Sequence, residues 1–202
     1  MIAPKNPETT VQRILNAAIA EVTSHGIDRA TVVSIARAAS MTHANVYRHF
    51  ESKTALFDAI TQTWLKPLEA RLGEITDAPD PARDKLERLI FALFRAYHDR
   101  LDTNSQLFDL FVRAFRDNRT LARQHRARIR TLIDRILEEG MSAGAFSCRN
   151  RSQAMSLTLD ALYRFIQPEV IFLDKEIQRK ALESRLAATS SMVIKALSNM
   201  TV

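Results

Sequence analysis

Between Thr42 and Lys53 the chain reads THANVYRHFESK. His43, Asn45, Tyr47, Arg48, His49 and Lys53 all bring hydrogen-bond donors to this stretch, and only Val46 and Phe50 suit a core. These two lie one helical turn apart, so both can anchor the same face of a helix. Ala44, Asn45 and Arg48 then turn largely away from the anchor, and His43 and Tyr47 stand on its flanks. An Asn amide can pair with adenine through two hydrogen bonds, and an Ala methyl can pack on a thymine methyl. Tyr and His side chains donate to phosphate oxygens. Lys53 opens the next helix, where unpaired backbone N–H groups and the helix dipole already favour an anion. The chemistry on offer is recognition of a nucleic-acid duplex.

The elements that must position these residues are legible on either side. Val11, Ile14, Leu15, Ala18 and Val22 form one stripe of an amphipathic helix. Thr9 or Thr10 can cap its start and Gly26 its end. Thr31 is a natural N-cap for a second helix carrying Val32, Ile35, Ala36 and Ala39. The pattern breaks at Ser40-Met41. Thr42 then caps a short third helix, His43 to Phe50, and Ser52 caps a fourth with Leu56, Phe57, Ile60 and Trp64 on one side. Two short helices joined by a tight turn, the second one polar, describe a helix-turn-helix. The second helix of that motif lies in the major groove.

Residues 26–57, GIDRATVVSIARAASMTHANVYRHFESKTALF, resemble the DNA-binding domain of the tetracycline-repressor (TetR) family. Gly26, Thr31, Ile35-Ala36, Ala39, the run VYRHF followed by Ser52-Lys53, and Leu56 carry the likeness. The resemblance implies that Thr42, His43, Ala44 and Asn45 face bases or adjacent backbone, and that Tyr47, His49 and Lys53 hold phosphates. With Thr31 and Arg48 these make up the expected DNA-binding set. The chain departs from the family at Ser40, where a Gly is usual. A positive φ is cheap for Gly and costlier for Ser, so a strained turn is expected there. Beyond about residue 57 the likeness is one of architecture: five further helices, the last two available for dimerisation. Ligands differ between members, so no ligand carries over.

The rest of the chain reads as long helices. DAPDP, residues 77–81, is the clearest linker. After it, Leu86, Leu89, Ile90, Leu93, Phe94 and Tyr97 form a helical stripe, and further helices are predicted over residues 104–115, 118–141, 152–167 and 175–200. The expected fold is all-α with about nine helices. It divides into a helix-turn-helix DNA-binding domain, 1–56, and a helical ligand-binding and dimerisation domain, 57–202. Composition agrees: 46% hydrophobic, 26% charged, and only 4 Gly and 6 Pro in 202 residues. The net charge of +6 permits nucleic-acid binding. No apolar run approaches the roughly 20 residues of a membrane span. MIAPKNPETT lacks the apolar region of a signal peptide, and Cys148 has no second cysteine to pair with. A cytoplasmic location is the expectation.

Nine of the ten Phe residues fall between Phe57 and Phe172. At helical spacing such rings ordinarily fill a core, yet so many in one helical domain can also line an apolar pocket. The expected lining is Trp64, Phe91, Phe94, Phe111 and Phe115, with His98, Tyr97, Tyr163 and Gln167 as polar groups. The implied effector is apolar or aromatic. Arg113, Arg116, Arg119, Arg123, Arg126, Arg128 and Arg130 form a basic run that reads as a solvated surface. Leu157, Leu182, Leu186, Val193 and Leu197 are the expected homodimer interface. No glycine-rich phosphate loop, metal-ligand spacing or serine elbow is present. Neither enzymatic activity nor a cofactor or metal is therefore expected. The reading is a TetR-like, ligand-responsive repressor that binds a palindromic operator as a dimer. Its competitors are a helical interaction protein without operator binding and a small-molecule-binding enzyme.

Overall fold

The computed structural model describes residues 9–199, which form ten helices and no strand. In chain order these are α1 (Thr10–His25), α2 (Val32–Ala38), α3 (His43–His49), α4 (Lys53–Asp77) and α5 (Ala82–Thr103). They continue with α6 (Ser105–Arg116), α7 (Thr120–Ser142), α8 (Arg151–Ile166), α9 (Pro168–Leu173) and α10 (Arg179–Asn199). All nine expected helices are present, and α9 is the addition. Pro168 ends α8 because it offers no N–H, and its fixed φ suits the first position of a new helix. The expected last residue of the final helix, Met200, lies outside the described residues, as do the first eight positions.

Capping follows the sequence. The hydroxyls of Thr9, Thr31, Thr42 and Ser52 accept from the backbone N–H three residues on, at the starts of α1, α2, α3 and α4. Thr31 and Ser34 complete a reciprocal box, with Ser34 Oγ accepting from Thr31 N at 3.1 Å. Gly26 closes α1 at φ 79°, its N–H reaching Val22 O at 2.9 Å.

The helices enclose two apolar cores. The smaller gathers Ile14, Ala18 and Val22 of α1, Ile35 of α2, Val46 of α3 and Leu56, Phe57 and Ile60 of α4. Leu107 and Leu110 of α6 join it, so the N-terminal head rests on the body. The larger core runs from Leu65, Leu68 and Leu72 of α4 through α5, α6, α7 and α8 to Leu182, Leu186, Val193 and Leu197 of α10. Cys148 is buried in this core. With 25 residues, α4 is about 37 Å long and serves both cores. Pro67 lies in its middle and withdraws one intrahelical hydrogen bond there.

Candidate nucleic-acid interface and effector cavity

Val46, at 1% exposure, pins α3 to the head, and Phe50 is half-buried beside it. The turn before α3 is tight. Ser40 N donates to Arg37 O at 3.0 Å and Met41 N to Ala36 O at 2.9 Å. Arg13 of α1 donates to Ala39 O at 2.7 Å, which fixes the turn from the other side. Ser40 stands at φ 55°, the left-handed conformation expected for this position, which Gly adopts more cheaply.

This framework leaves one face of α3 open. Thr42, His43, Ala44, Tyr47, Arg48 and His49 are exposed. None of the side chains of His43, Tyr47, Arg48 and His49 has a hydrogen-bond or ion-pair partner within the described chain. Asn45 is half-buried, with its amide nitrogen 4.0 Å from the Met41 sulfur, so it stands on the flank of the face. Thr42 uses its oxygen as a cap and keeps its O–H group free to donate outward, while the Thr31 O–H donates to Ser34 Oγ at 3.2 Å. Lys53 is engaged. Its ammonium donates to Ile27 O at 3.2 Å and sits 5.1 Å from the centre of the Phe57 ring. An ammonium carries three donors, so two remain.

The arginine run is only partly a solvated surface. Arg113 of α6 bonds Asp28, between α1 and α2, at 2.8 and 3.2 Å, and also holds Asp109 at 3.1 Å. Arg119 joins Asp58 of α4 to Leu110 O. Two arginines thus tie the body to the head and to the head end of α4. Asp28 is held below the usual 3.8 by the Arg113 hydrogen bond first and the Arg113 charge second. Asp58 is pushed above 3.8 because burial outweighs the pull of Arg119.

In the body, a cavity of about 280 Å³ opens between α5, α7 and α8. Of the expected lining residues, Phe115, Tyr163 and Gln167 are there, together with Tyr97. The other expected rings are elsewhere. Phe94 and Phe111 are fully buried and belong to the packed core. Trp64 lies edge-on to Phe111 at 5.1 Å and to Tyr97 at 6.2 Å, behind the cavity wall. His98 packs on Phe94 at 4.2 Å and faces the α10 side. Phe91 lies in a separate polar groove between α4 and α5, with the Arg95 guanidinium 5.5 Å from its ring centre. Helical spacing could not separate these fates, because a ring one turn from another faces the core as readily as a void.

The centre of the cavity wall is a residue outside the expected lining. His125 of α7 is 1% exposed and lines the cavity. Its Nε2 is 2.6 Å from the Tyr97 hydroxyl and its Nδ1 2.6 Å from Glu69 Oε1 on α4. Burial, then the Glu69 charge, pushes the Tyr97 phenol well above its ordinary 10.0, so it stays neutral. The one sequence signal was a His four residues before Ile129 on the apolar side of an arginine-rich helix. The expected dimer residues also need correction. Leu182, Leu186, Val193 and Leu197 are at most 3% exposed in the single chain, so they serve the subunit's own core. Leu157 is half-buried, and the outward side of α10 carries Ser184, Ala188, Ser191 and Met192, the last 70% exposed.

A head with a polar second helix, set on an all-helical body that holds a cavity, defines a helix-turn-helix transcription regulator. Residues 14–60 match the family described as bacterial regulatory proteins, tetR family, and residues 82–189 match the tetracyclin repressor-like C-terminal domain. The chain belongs to the tetR family. It is similar to the HTH-type transcriptional repressor KstR2 of Mycolicibacterium smegmatis, 27% identical over 171 residues, 81% of this chain and 77% of that one. Its fold is shared with FadR of Bacillus subtilis in complex with stearoyl-CoA, at TM-score 0.66 and 18% identity over 93% of this chain and 97% of that one. It is also shared with SmeT, the repressor of the Stenotrophomonas maltophilia multidrug efflux pump SmeDEF, at TM-score 0.69 and 18% identity over 95% and 92%. No helix among the described residues is long and apolar enough to cross a membrane.

Proposed function

We propose that this chain is a ligand-responsive repressor that binds a dyad-symmetric operator as a homodimer, with residues 1–56 as the DNA head and 57–202 as the effector and dimer body. The observation that carries the reading is the open face of α3, where His43, Tyr47, Arg48 and His49 are exposed and have no partner within the described chain. Thr42, His43, Ala44 and Asn45 take the base side of the interface. Tyr47, Arg48, His49, Lys53 and Thr31 take the phosphates. Two such heads about one helical turn apart, roughly 34 Å, read a palindrome. The dimer uses the outward sides of α8 and α10, around Met192 and Leu157, and an apolar or aromatic effector enters the cavity beside Tyr163. The chain acts as a binder in the cytoplasm, without catalysis, cofactor or metal.

Selection of bound duplexes from a random pool tests this. Dyad-symmetric enrichment, with each mismatch weakening binding by about 1–3 kcal/mol, is the expected result. A pool without symmetric enrichment overturns it.

A further inference from the structure

The cavity has two unlike ends. Leu93, Ile129, Leu159 and Ile166 give it apolar sides, and Tyr97 with His125 forms its buried polar end. Arg126 and Arg130 stand at its exposed end. Arg126 is steadied by Asn118 and by the Phe115 ring, 5.1 Å away. Arg130 has no hydrogen-bond or ion-pair partner among the described residues. Asp160 lines the same region and pairs with neither arginine. The mouth therefore carries two guanidinium groups against one carboxylate. A guanidinium fork matches a carboxylate with two parallel hydrogen bonds.

We infer that the effector is a compact apolar carboxylic acid, its carboxylate held by Arg130 and Arg126 at the mouth and its body in the cavity against Tyr97. This rests on the ligand-responsive reading above and names the chemistry of that site. Size narrows the class. At about 280 Å³ the cavity falls just below the roughly 300–1,000 Å³ of ordinary small-molecule sites. A one- or two-ring acid fits, whereas a long acyl chain with a nucleotide head exceeds it.

The buried end supplies the route to the DNA head. The Glu69 carboxylate accepts a hydrogen bond from Nδ1–H of His125, which leaves Nε2 to accept from the Tyr97 hydroxyl. A ligand that displaces Tyr97 strains this chain of bonds, because a buried imidazole acceptor is left short of its donor. The far end of the chain is Glu69, two residues past Pro67 on α4, the helix whose other end lies in the head core. Glu69 acts as a positioning residue, and its effect is read in coupling. Couplings between such sites run to roughly 5- to 150-fold.

Naphthoate, cinnamate and cyclohexanecarboxylate, each beside its primary amide, are titrated calorimetrically into the full chain. The acids are expected to bind at least about tenfold more tightly than the amides, as a charge-assisted pair implies. Arg130→Ala should bring each acid down to its amide, while Arg128→Ala, on the same helix but away from the cavity, should not. Amides binding as tightly as acids, an Arg130→Ala chain that keeps the preference, or no acid binding at all each overturns the inference. A duplex selected from a random pool supplies the second arm. Glu69→Gln should lower the factor by which the bound acid weakens that duplex, and an unchanged factor overturns the relay. If no duplex is bound, the regulator reading falls while acid against amide still reads the site. If a duplex is bound and no acid is, the regulator reading stands and this inference falls.

Discussion

Arg113 on α6 grips Asp28, between α1 and α2, through hydrogen bonds of 2.8 and 3.2 Å. The pair spans the seam between the DNA head and the effector body. Asp28 is 80% exposed, so the pair adds little to stability in water and acts chiefly as an orienting tie. Arg113→Ala is therefore expected to shift the unfolding midpoint little and to lower the factor by which effector weakens operator binding. Arg113 holds the Asp28 carboxyl below 3.8 in the folded chain. A depressed carboxylate contributes above its unfolded pKa and is lost only as pH falls through the folded one. The coupling factor should thus be flat from about pH 5 to pH 8 in titrations of operator with effector.

Replacements on the open face of α3 should separate into two kinds. Tyr47→Phe and Lys53→Ala are expected to weaken all duplexes alike, because phosphate contacts carry no direct sequence information. Lys53→Ala should also reduce the salt slope by about one unit. It should lower head stability too, since its ammonium holds Ile27 O. His43→Ala and Asn45→Ala should change the preferred base at a defined operator position. Competition binding with single-substitution operators reads both patterns, and a uniform loss for His43 would reverse the assignment.

Ser40 sits at φ 55° between α2 and α3. An L-residue in that conformation costs about 1–2 kcal/mol, while Gly costs the unfolded chain about 0.5–1 kcal/mol of extra freedom. Ser40→Gly should therefore stabilise the head by up to about 1 kcal/mol, seen as a raised denaturant midpoint with an unchanged slope. A β-branched replacement such as Ser40→Val should lower it.

Leu186 is turned into the subunit and Met192 out of it on α10, at 0% and 70% exposure. Met192→Glu is expected to leave the subunit folded and shift sedimentation from dimer to monomer. Leu186→Glu places a charge in the subunit's own core and should unfold it, at a cost above about 3 kcal/mol. A Met192→Glu chain that stays dimeric would place the interface elsewhere.

His98 is buried against Phe94, and its imidazole is held below the ordinary 6.5. Burial is the largest cause, followed by the Arg179 charge, against the opposite pull of Asp102, Glu183 and Asp99. The unfolded chain then takes up the proton first as pH falls. Stability from this site is present above 6.5 and is lost as pH falls from that value through the lower folded one. Thermal unfolding should show the loss, and His98→Leu should flatten it.

The sequence by itself determined nine of the ten helices, the caps of the first four and the reading head. Those depend on local spacing: Val46 and Phe50 one turn apart, Thr31, Thr42 and Ser52 as caps, and Ser40 at a left-handed turn. A helix carries its own period, so its apolar face is written in neighbouring residues. What lay beyond the sequence is which apolar residue meets which partner. Phe111 and Phe115 lie one turn apart on α6, yet one fills the core and the other lines the cavity. Leu186 and Met192 both look fit for an interface, and packing of α8 on α10 uses one inside the subunit and leaves the other outside. Tyr97, His125 and Glu69 come from three helices, and 28 and 56 residues separate His125 from its two partners. Only the crossing of α4, α5 and α7 brings them within 2.6 Å, because a hydrogen bond across helices is fixed by how those helices pack and has no period along the chain.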